Sequence, residues 1–354
     1  MIPIFLATNT GHAGKTFVAI GLVSKLREQG YRVGYIKPYG RTPVKKNKDL
    51  FEADALFIKE ALDLPEPMET ISPFVQSYET ETLLLQGTIK DGKKRIMDAF
   101  RSMKDKDYVI VGGATDLWEG FALNIDGLSL IEDMKAQVLF VEPWKGVPSL
   151  DSLLSIKHLL GKRFLGGVIN KTPESLMGHV KETIRPFLEK KGVRVFGIFH
   201  RDRLLESITV RRLNEILNGK VLCCEGILDE FVENFSIGAM DVDSALSYFM
   251  RTPNKAVITG VHRTDIQLAA METSTKCIIL TGGFYTNDVI LGKARSKGIS
   301  LISVAEDTFT VVDKIEAVMG KISIREKGKI DRAKELVGRD FDLQGFLKSL
   351  KRER

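Results

Sequence analysis

A doubly wound, mostly parallel α/β sheet followed by a second, smaller α/β domain is the fold class that the sequence predicts. Three observations lead there. The chain up to Phe199 alternates short apolar runs with longer amphipathic segments, a tighter strand–helix alternation follows, and 354 residues exceed the roughly 100–200 of one ordinary domain. With 44% hydrophobic and 28% charged residues the chain can bury a large apolar surface, which excludes disorder.

The predicted strands of the first part are Ile2–Ala7, Arg32–Lys37, Tyr108–Val111, Gln137–Val141, Leu165–Asn170 and Arg194–Phe199. Their apolar character is continuous rather than alternating, as in strands covered on both faces. Helices are predicted at Lys15–Gln29, Asp49–Leu62, Thr80–Met103 and Leu150–Leu160. A sheet wound this way opens its ligand crevice at the carboxyl ends of its strands. Further on, strands are predicted at Val221–Cys223, Ala256–Thr259, Lys276–Leu280 and Ser300–Val304, with helices starting at Asp241, Thr264, Asn287 and Asp307 and a connector at Ile237–Met240. The expected domains are residues 1–203 and 204–323. Residues 324–354 form a charged tail with apolar positions from Ile330 to Leu350 at helical spacing, interrupted at Gly338–Arg339. Two short helices docking on the protein or a partner subunit are expected there.

Lys and Arg total 52 against 46 Asp and Glu, a net charge of +6. Five cations and no acid lie between residues 37 and 48 (Lys37, Arg41, Lys45, Lys46, Lys48), and the last seven residues add +3, so the remainder is slightly acidic. That is one local anion site plus a basic tail, not the broad basic face of a nucleic-acid binder. The three cysteines, Cys223, Cys224 and Cys277, form no CxxC pair and are expected to be inert buried thiols in a reducing cytosol. The N-terminus has no charged region ahead of its apolar stretch, and no apolar run approaches the ~18 residues of a membrane span. A soluble cytoplasmic protein without membrane partners is expected.

The sharpest local feature is TNTGHAGKT, Thr8 to Thr16, directly after a strand and directly before a helix. Backbone N–H groups of such a loop and of the helix start point at an anion, a lysine at position 15 reaches the β- and γ-phosphates, and the Thr16 hydroxyl suits Mg²⁺. Asn9, Thr10, Gly11, His12, Ala13, Gly14, Lys15 and Thr16 are therefore the candidate nucleotide-binding residues; Asn9 stands where the usual pattern has glycine. A glycine turn holding no ligand is the competing reading. The second feature is GYIKPYGR, Gly34 to Arg41, where Lys37 at a strand end beside the loop approaches the transferred phosphoryl group. Lys15 and Lys37 are the candidate catalytic cations; a solvated Lys37 is the alternative.

TNTGHAGKT followed by KPYG resembles dethiobiotin synthetase and its relatives, up to about residue 200. The resemblance implies a P-loop NTPase-like domain using ATP and Mg²⁺, with Lys37 on phosphate, Asp54 of EADALFI on Mg²⁺ and Asn170 of GGVINK reading the adenine edge. Asn170–Lys171 also begins the guanine motif N-K-x-D, but Pro173 replaces its carboxylate, so ATP is favoured over GTP. The family's V-E-G-A-G motif supplies a glutamate to the metal, whereas this chain reads VIVGGATD with Gly112 in that place. Asp116 or Glu119 of ATDLWEG are the nearby acids; Asp116 is the candidate third metal ligand beside Thr16 and Asp54, and a solvated loop acid is its alternative.

The second half resembles the DRTGG domain through FGIFHRDRLLESITV from Phe196, IGAM (Ile237–Met240), ITGVHRTD (Ile258–Asp265) and ILTGG (Ile279–Gly283). His262, Arg263, Asp265, Gly282 and Gly283 are the candidate effector or dimer-contact residues, His262 as a loop or interface residue rather than a catalyst. The order of the two resemblances is that of the N-terminal part of long phosphotransacetylases, whose acetyl-transfer domain is not among these 354 residues, so acetyl transfer is not expected. Two functions stay open: an ATP-binding regulatory protein with a dimerising or effector-binding second domain, and an ATP- and Mg²⁺-dependent ligase that phosphorylates a carboxylate or carbamate.

Overall fold

A computed structural model of the chain describes residues 1–46, 49–88, 91–283, 287–318 and 326–352. Lys48 of the cation cluster, residues 89–90 of the predicted Thr80–Met103 helix and the expected boundary at 323 lie outside the described residues. The chain divides into two compact units: Met1–Asp202 with Ser323–Arg354, and Arg203–Ile322.

The first unit is built on six parallel strands: β1 (Ile2–Ala7), β2 (Val33–Ile36), β3 (Tyr108–Gly112), β4 (Gln137–Pro143), β5 (Phe164–Thr172) and β6 (Val195–His200). Their order is β6-β5-β4-β1-β3-β2. The winding direction reverses around β1, so the crevice of this doubly wound sheet lies at its carboxyl end. The strands are almost fully buried, as expected for a parallel sheet covered on both faces.

Helix α1 (Lys15–Glu28) buries Phe17, Val18, Ile20, Leu22, Val23 and Leu26. A helix apolar around most of its circumference must be covered on two sides. The sheet covers one; the C-terminal helix Lys327–Asp340 covers the other. At their closest approach a Cβ on Gly21 would lie 2.3 Å from the Val337 Cβ, so the two backbones need glycine there. The C-terminal chain also shields the exposed edge of β6: the Asp342 N–H donates to the Phe196 carbonyl at 2.7 Å, and Phe196, Phe341 and Phe346 stack with centroids 5.3–6.2 Å apart.

Three predicted elements differ. Asp49–Glu52 is not the start of a helix but a strand paired antiparallel with Pro43–Lys46; helix α2 (Ala53–Ala61) begins only where the Glu52 side chain accepts the Ala55 N–H. The Thr80–Met103 segment holds two helices, Tyr78–Leu85 and Gly92–Ser102, because Gly87 at φ 68° ends the first. The C-terminal helix runs through Gly338–Arg339 and breaks at Phe341, whose backbone bridges to Gly197; a side chain at Gly338 would collide with Lys25.

The second unit is a five-stranded sheet: β7 (Lys220–Cys223), β8 (Asn234–Ile237), β9 (Lys255–Gly260), β10 (Thr275–Thr281) and β11 (Ser300–Ser303), ordered β7-β11-β10-β9-β8, with only β7 antiparallel. Ile258, Ile279 and Ile302 face one apolar core, and Val257, Ile278 and Leu301 the other. Burial pushes the Cys277 thiol up to about 12, and burial with the neighbouring Cys224 pushes Cys223 up to about 11, so neither is a thiolate at neutral pH. Among the described residues no helix is long and apolar enough to cross a membrane.

Candidate functional site

The loop from Thr8 to Gly14 leaves the end of β1 and enters α1 without a side-chain cap. The first amides of a helix have no intrahelical partner, so those of Lys15, Thr16 and Phe17 face the crevice as uncommitted donors. Gly14 makes the turn at φ 103°, a conformation that side chains rarely adopt, and a Cβ there would meet the Asn170 Nδ2 at 2.1 Å. Asn170, from β5, donates that Nδ2 to the Ala13 carbonyl at 2.8 Å. Its first task is therefore to fasten the loop. His12 has φ 57°, and it and Asn9 lie on the exposed rim.

Because β3 lies between β1 and β2, the loop after β3 runs between Lys15 and Lys37. Lys15 donates its Nζ to the Thr115 carbonyl at 3.3 Å. Burial, with the charge of Lys37 second, lowers its pKa to about 7. Lys37, at the end of β2, holds two carboxylates: Asp54 Oδ2 at 3.1 Å and Glu52 Oε1 at 3.2 Å. Burial works against its charge, but Asp54 and then Glu52 outweigh burial and hold its pKa above the ordinary lysine value.

Glu52 is fully buried and satisfied by Lys37, by the Thr42 hydroxyl at 2.5 Å and by the Ala55 N–H at 2.6 Å. Gly40 of KPYG makes room for it, since a Cβ would fall 1.9 Å from the Glu52 Cγ. Glu52 is not among the residues expected at the site; its signal in the sequence is the spacing Glu52-x-Asp54 at the start of a helix, one acid capping and one facing the crevice.

The remaining acids serve the loop after β3. Asp116 Oδ1 accepts the N–H groups of Trp118 at 2.8 Å and Glu119 at 3.0 Å. Glu119 pairs with Arg41 and accepts the Thr115 N–H at 2.6 Å. Burial would raise the Glu119 carboxyl, but the Arg41 and Thr115 hydrogen bonds bring it below the ordinary range. At Gly112 a Cβ would lie 2.3 Å from the Tyr35 Oη, so a tyrosine hydroxyl fills the space where the resemblance places a metal-binding glutamate. Among the described residues no three His, Cys, Asp or Glu side chains cluster as a metal cage. Mg²⁺ carried by nucleotide phosphates needs only one or two protein oxygens, a role the Thr16 hydroxyl and Asp54 carboxylate fit by chemistry.

In the second unit, Arg263 forms a two-pronged pair with Asp265, both contacts at 3.0 Å, and donates to the Met240 carbonyl at 2.9 Å, joining the connector to the loop after β9. His262 is exposed. Gly282 and Gly283, at φ 85° and 145°, end β10; their amides donate to the Glu306 and Val304 carbonyls.

Residues 3–209 match the model of a family described as an AAA domain, and residues 212–318 match the DRTGG domain. The chain belongs to this AAA-domain family. As the sequence resemblance implied, the AAA domain is followed by a DRTGG domain. The ATP-dependent dethiobiotin synthetase of Methanocaldococcus jannaschii is 32% identical over 203 residues, 54% of this chain and 90% of that protein. That of Clostridium perfringens is 23% identical over 60% of this chain and 96% of its own length. The phosphate acetyltransferase of Pseudomonas aeruginosa is 21% identical over 97% of this chain, which spans 51% of that protein's length. Among solved structures, the MinD cell division protein of Aquifex aeolicus matches 58% of this chain and 84% of its own at 12% identity and TM-score 0.36. The CBS and DRTGG domains of the regulatory region of Clostridium perfringens pyrophosphatase, complexed with the activator diadenosine tetraphosphate, match 32% of this chain and 46% of their own at 23% identity and TM-score 0.28.

Proposed function

We propose that this chain is an ATP-binding regulatory protein: the AAA unit binds the nucleotide, and the DRTGG unit dimerises or takes a small-molecule effector through the Arg263–Asp265 and Gly282–Gly283 loops. The observation that carries this reading is the contrast between donors and acids at the end of β1. The amides of the loop, Lys15 and Lys37 converge on a place for phosphate, while Glu52 and Asp54 are engaged with Lys37, and Asp116 and Glu119 stabilise their own loop. Such a site favours anion binding over metal-driven turnover, because no carboxylate stands at position 112. Pro173, in place of the carboxylate of the guanine motif, supports ATP over GTP. Thr16, with Asp54 shared between Lys37 and the metal, would hold a Mg²⁺ accompanying the nucleotide, which would supply neutralisation of phosphate charge.

A second reading, an ATP-dependent ligase that phosphorylates a carboxylate or carbamate, is favoured by the 32% identity to a dethiobiotin synthetase over most of that enzyme. Phosphate release from ATP, with and without Mg²⁺, separates the two. The regulatory reading expects release no faster from wild type than from Lys15→Ala; Mg²⁺-dependent turnover well above the variant favours the ligase.

A further inference from the structure

Tyr35 is the buried polar side chain at this site that the function above leaves unused. It is 3% exposed. From the middle of β2 its ring extends toward the end of β3, where the hydroxyl stands over the Cα of Gly112, within the field of Glu52 and Asp54, both partners of Lys37. Among the described residues this hydroxyl makes no hydrogen bond, and it is not one of the fully enclosed unpartnered polar atoms, so it opens onto the crevice. A phenol whose ring is buried and whose hydroxyl opens onto the crevice is placed to donate to an acceptor that enters it from outside the protein.

We propose that the Tyr35 hydroxyl is a ligand contact of the site, donating a hydrogen bond to an oxygen of the terminal phosphoryl group of bound ATP. The proposal rests on the nucleotide-binding reading above and deepens it. Burial first, then the charges of Glu52 and Asp54, push the phenol well above its ordinary pKa, so it stays a neutral donor at physiological pH. A glutamate at position 112 would attract a cation and repel the terminal phosphate; glycine with the Tyr35 hydroxyl above it does the reverse. The pairing of Gly112 with Tyr35 thus converts a metal-facing position into a phosphate-facing one. Since Lys37 and the Tyr35 hydroxyl flank the same corner, the contact falls on the group that distinguishes ATP from ADP.

Calorimetric titration of the full chain with ATP and with ADP, for wild type and Tyr35→Phe, tests the assignment. Phenylalanine keeps the ring that packs against Gly112. The expected result is about tenfold weaker ATP binding, the worth of one hydrogen bond to a charged acceptor, with ADP binding unchanged. Equal ATP affinity in wild type and variant overturns the assignment, as does an equal loss for ATP and ADP, which marks a disturbed fold rather than a lost contact. Wild type binding neither nucleotide overturns the nucleotide-binding reading and this assignment with it.

Discussion

The two units carry mostly parallel sheets whose strand ends are finished in opposite ways. At the end of β1, uncapped helix amides and the Lys15 amine, which no carboxylate among the described residues pairs, are left open to an anion, and the nearby acids are spent on Lys37, Arg41 and the loop itself. At the ends of β9 and β10 the polar groups close on one another: Arg263 on Asp265, the Thr259 hydroxyl on the Gly238 carbonyl, the Thr281 hydroxyl with that of Thr308. Topology alone therefore does not make a phosphate site. Uncompensated donors do, and they are costly to bury unless a ligand completes them.

The charge arrangement at the end of β1 depends most on Glu52. Glu52→Ala strips Lys37 of its fully buried partner and α2 of its cap, and should cost about 3 kcal/mol in urea denaturation. An unchanged midpoint would mean that Asp54 alone holds Lys37. Gly21→Val, which forces α1 away from the C-terminal helix, should cost about 1–3 kcal/mol and lower the melting temperature by several degrees.

Lys15 ties the site to pH. Its folded value of about 7 lies below the 10.5 of an unfolded lysine, so between these values the unfolded chain holds a proton that the folded chain has released. Stability of the ligand-free protein therefore rises with pH across that window. Bound phosphate favours the charged amine, so ATP binding near pH 8 should take up about one proton, read from calorimetry in buffers of different ionisation enthalpy. Zero uptake would place a charged Lys15 in the free protein. The smallest effect is expected in the second unit, where Arg263→Ala removes a largely solvated ion pair and one hydrogen bond to the Met240 carbonyl; the denaturation midpoint should fall only slightly and ATP affinity should stay at its wild-type value.

Much of this arrangement was readable from local pattern. The strands from Ile2–Ala7 to Arg194–Phe199 declared themselves as apolar runs, and the phosphate loop by its glycines, Lys15 and Thr16. Glu52 was hidden because its neighbours read as a helix; only the pairing of Asp49–Glu52 with Pro43–Lys46 turns it toward Lys37. Tyr35 sat inside an apolar run, and its meaning depends on the sheet order that brings β2 beside β3. The role of Asn170 in fastening the loop joins residues 157 positions apart, and the break at Phe341 rather than Gly338 follows from a contact with β6. These are consequences of register and long-range packing, which short-range spacing does not encode.

The central claim is that the end of β1 is a nucleotide site built around Lys15. Thermal unfolding of wild type and Lys15→Ala over a range of ATP concentrations tests it most directly. ATP should raise the wild-type melting temperature in a concentration-dependent way, and Lys15→Ala should need at least about 100-fold more ATP for the same shift. Wild type that no nucleotide stabilises, or a variant that responds as wild type does, would contradict it.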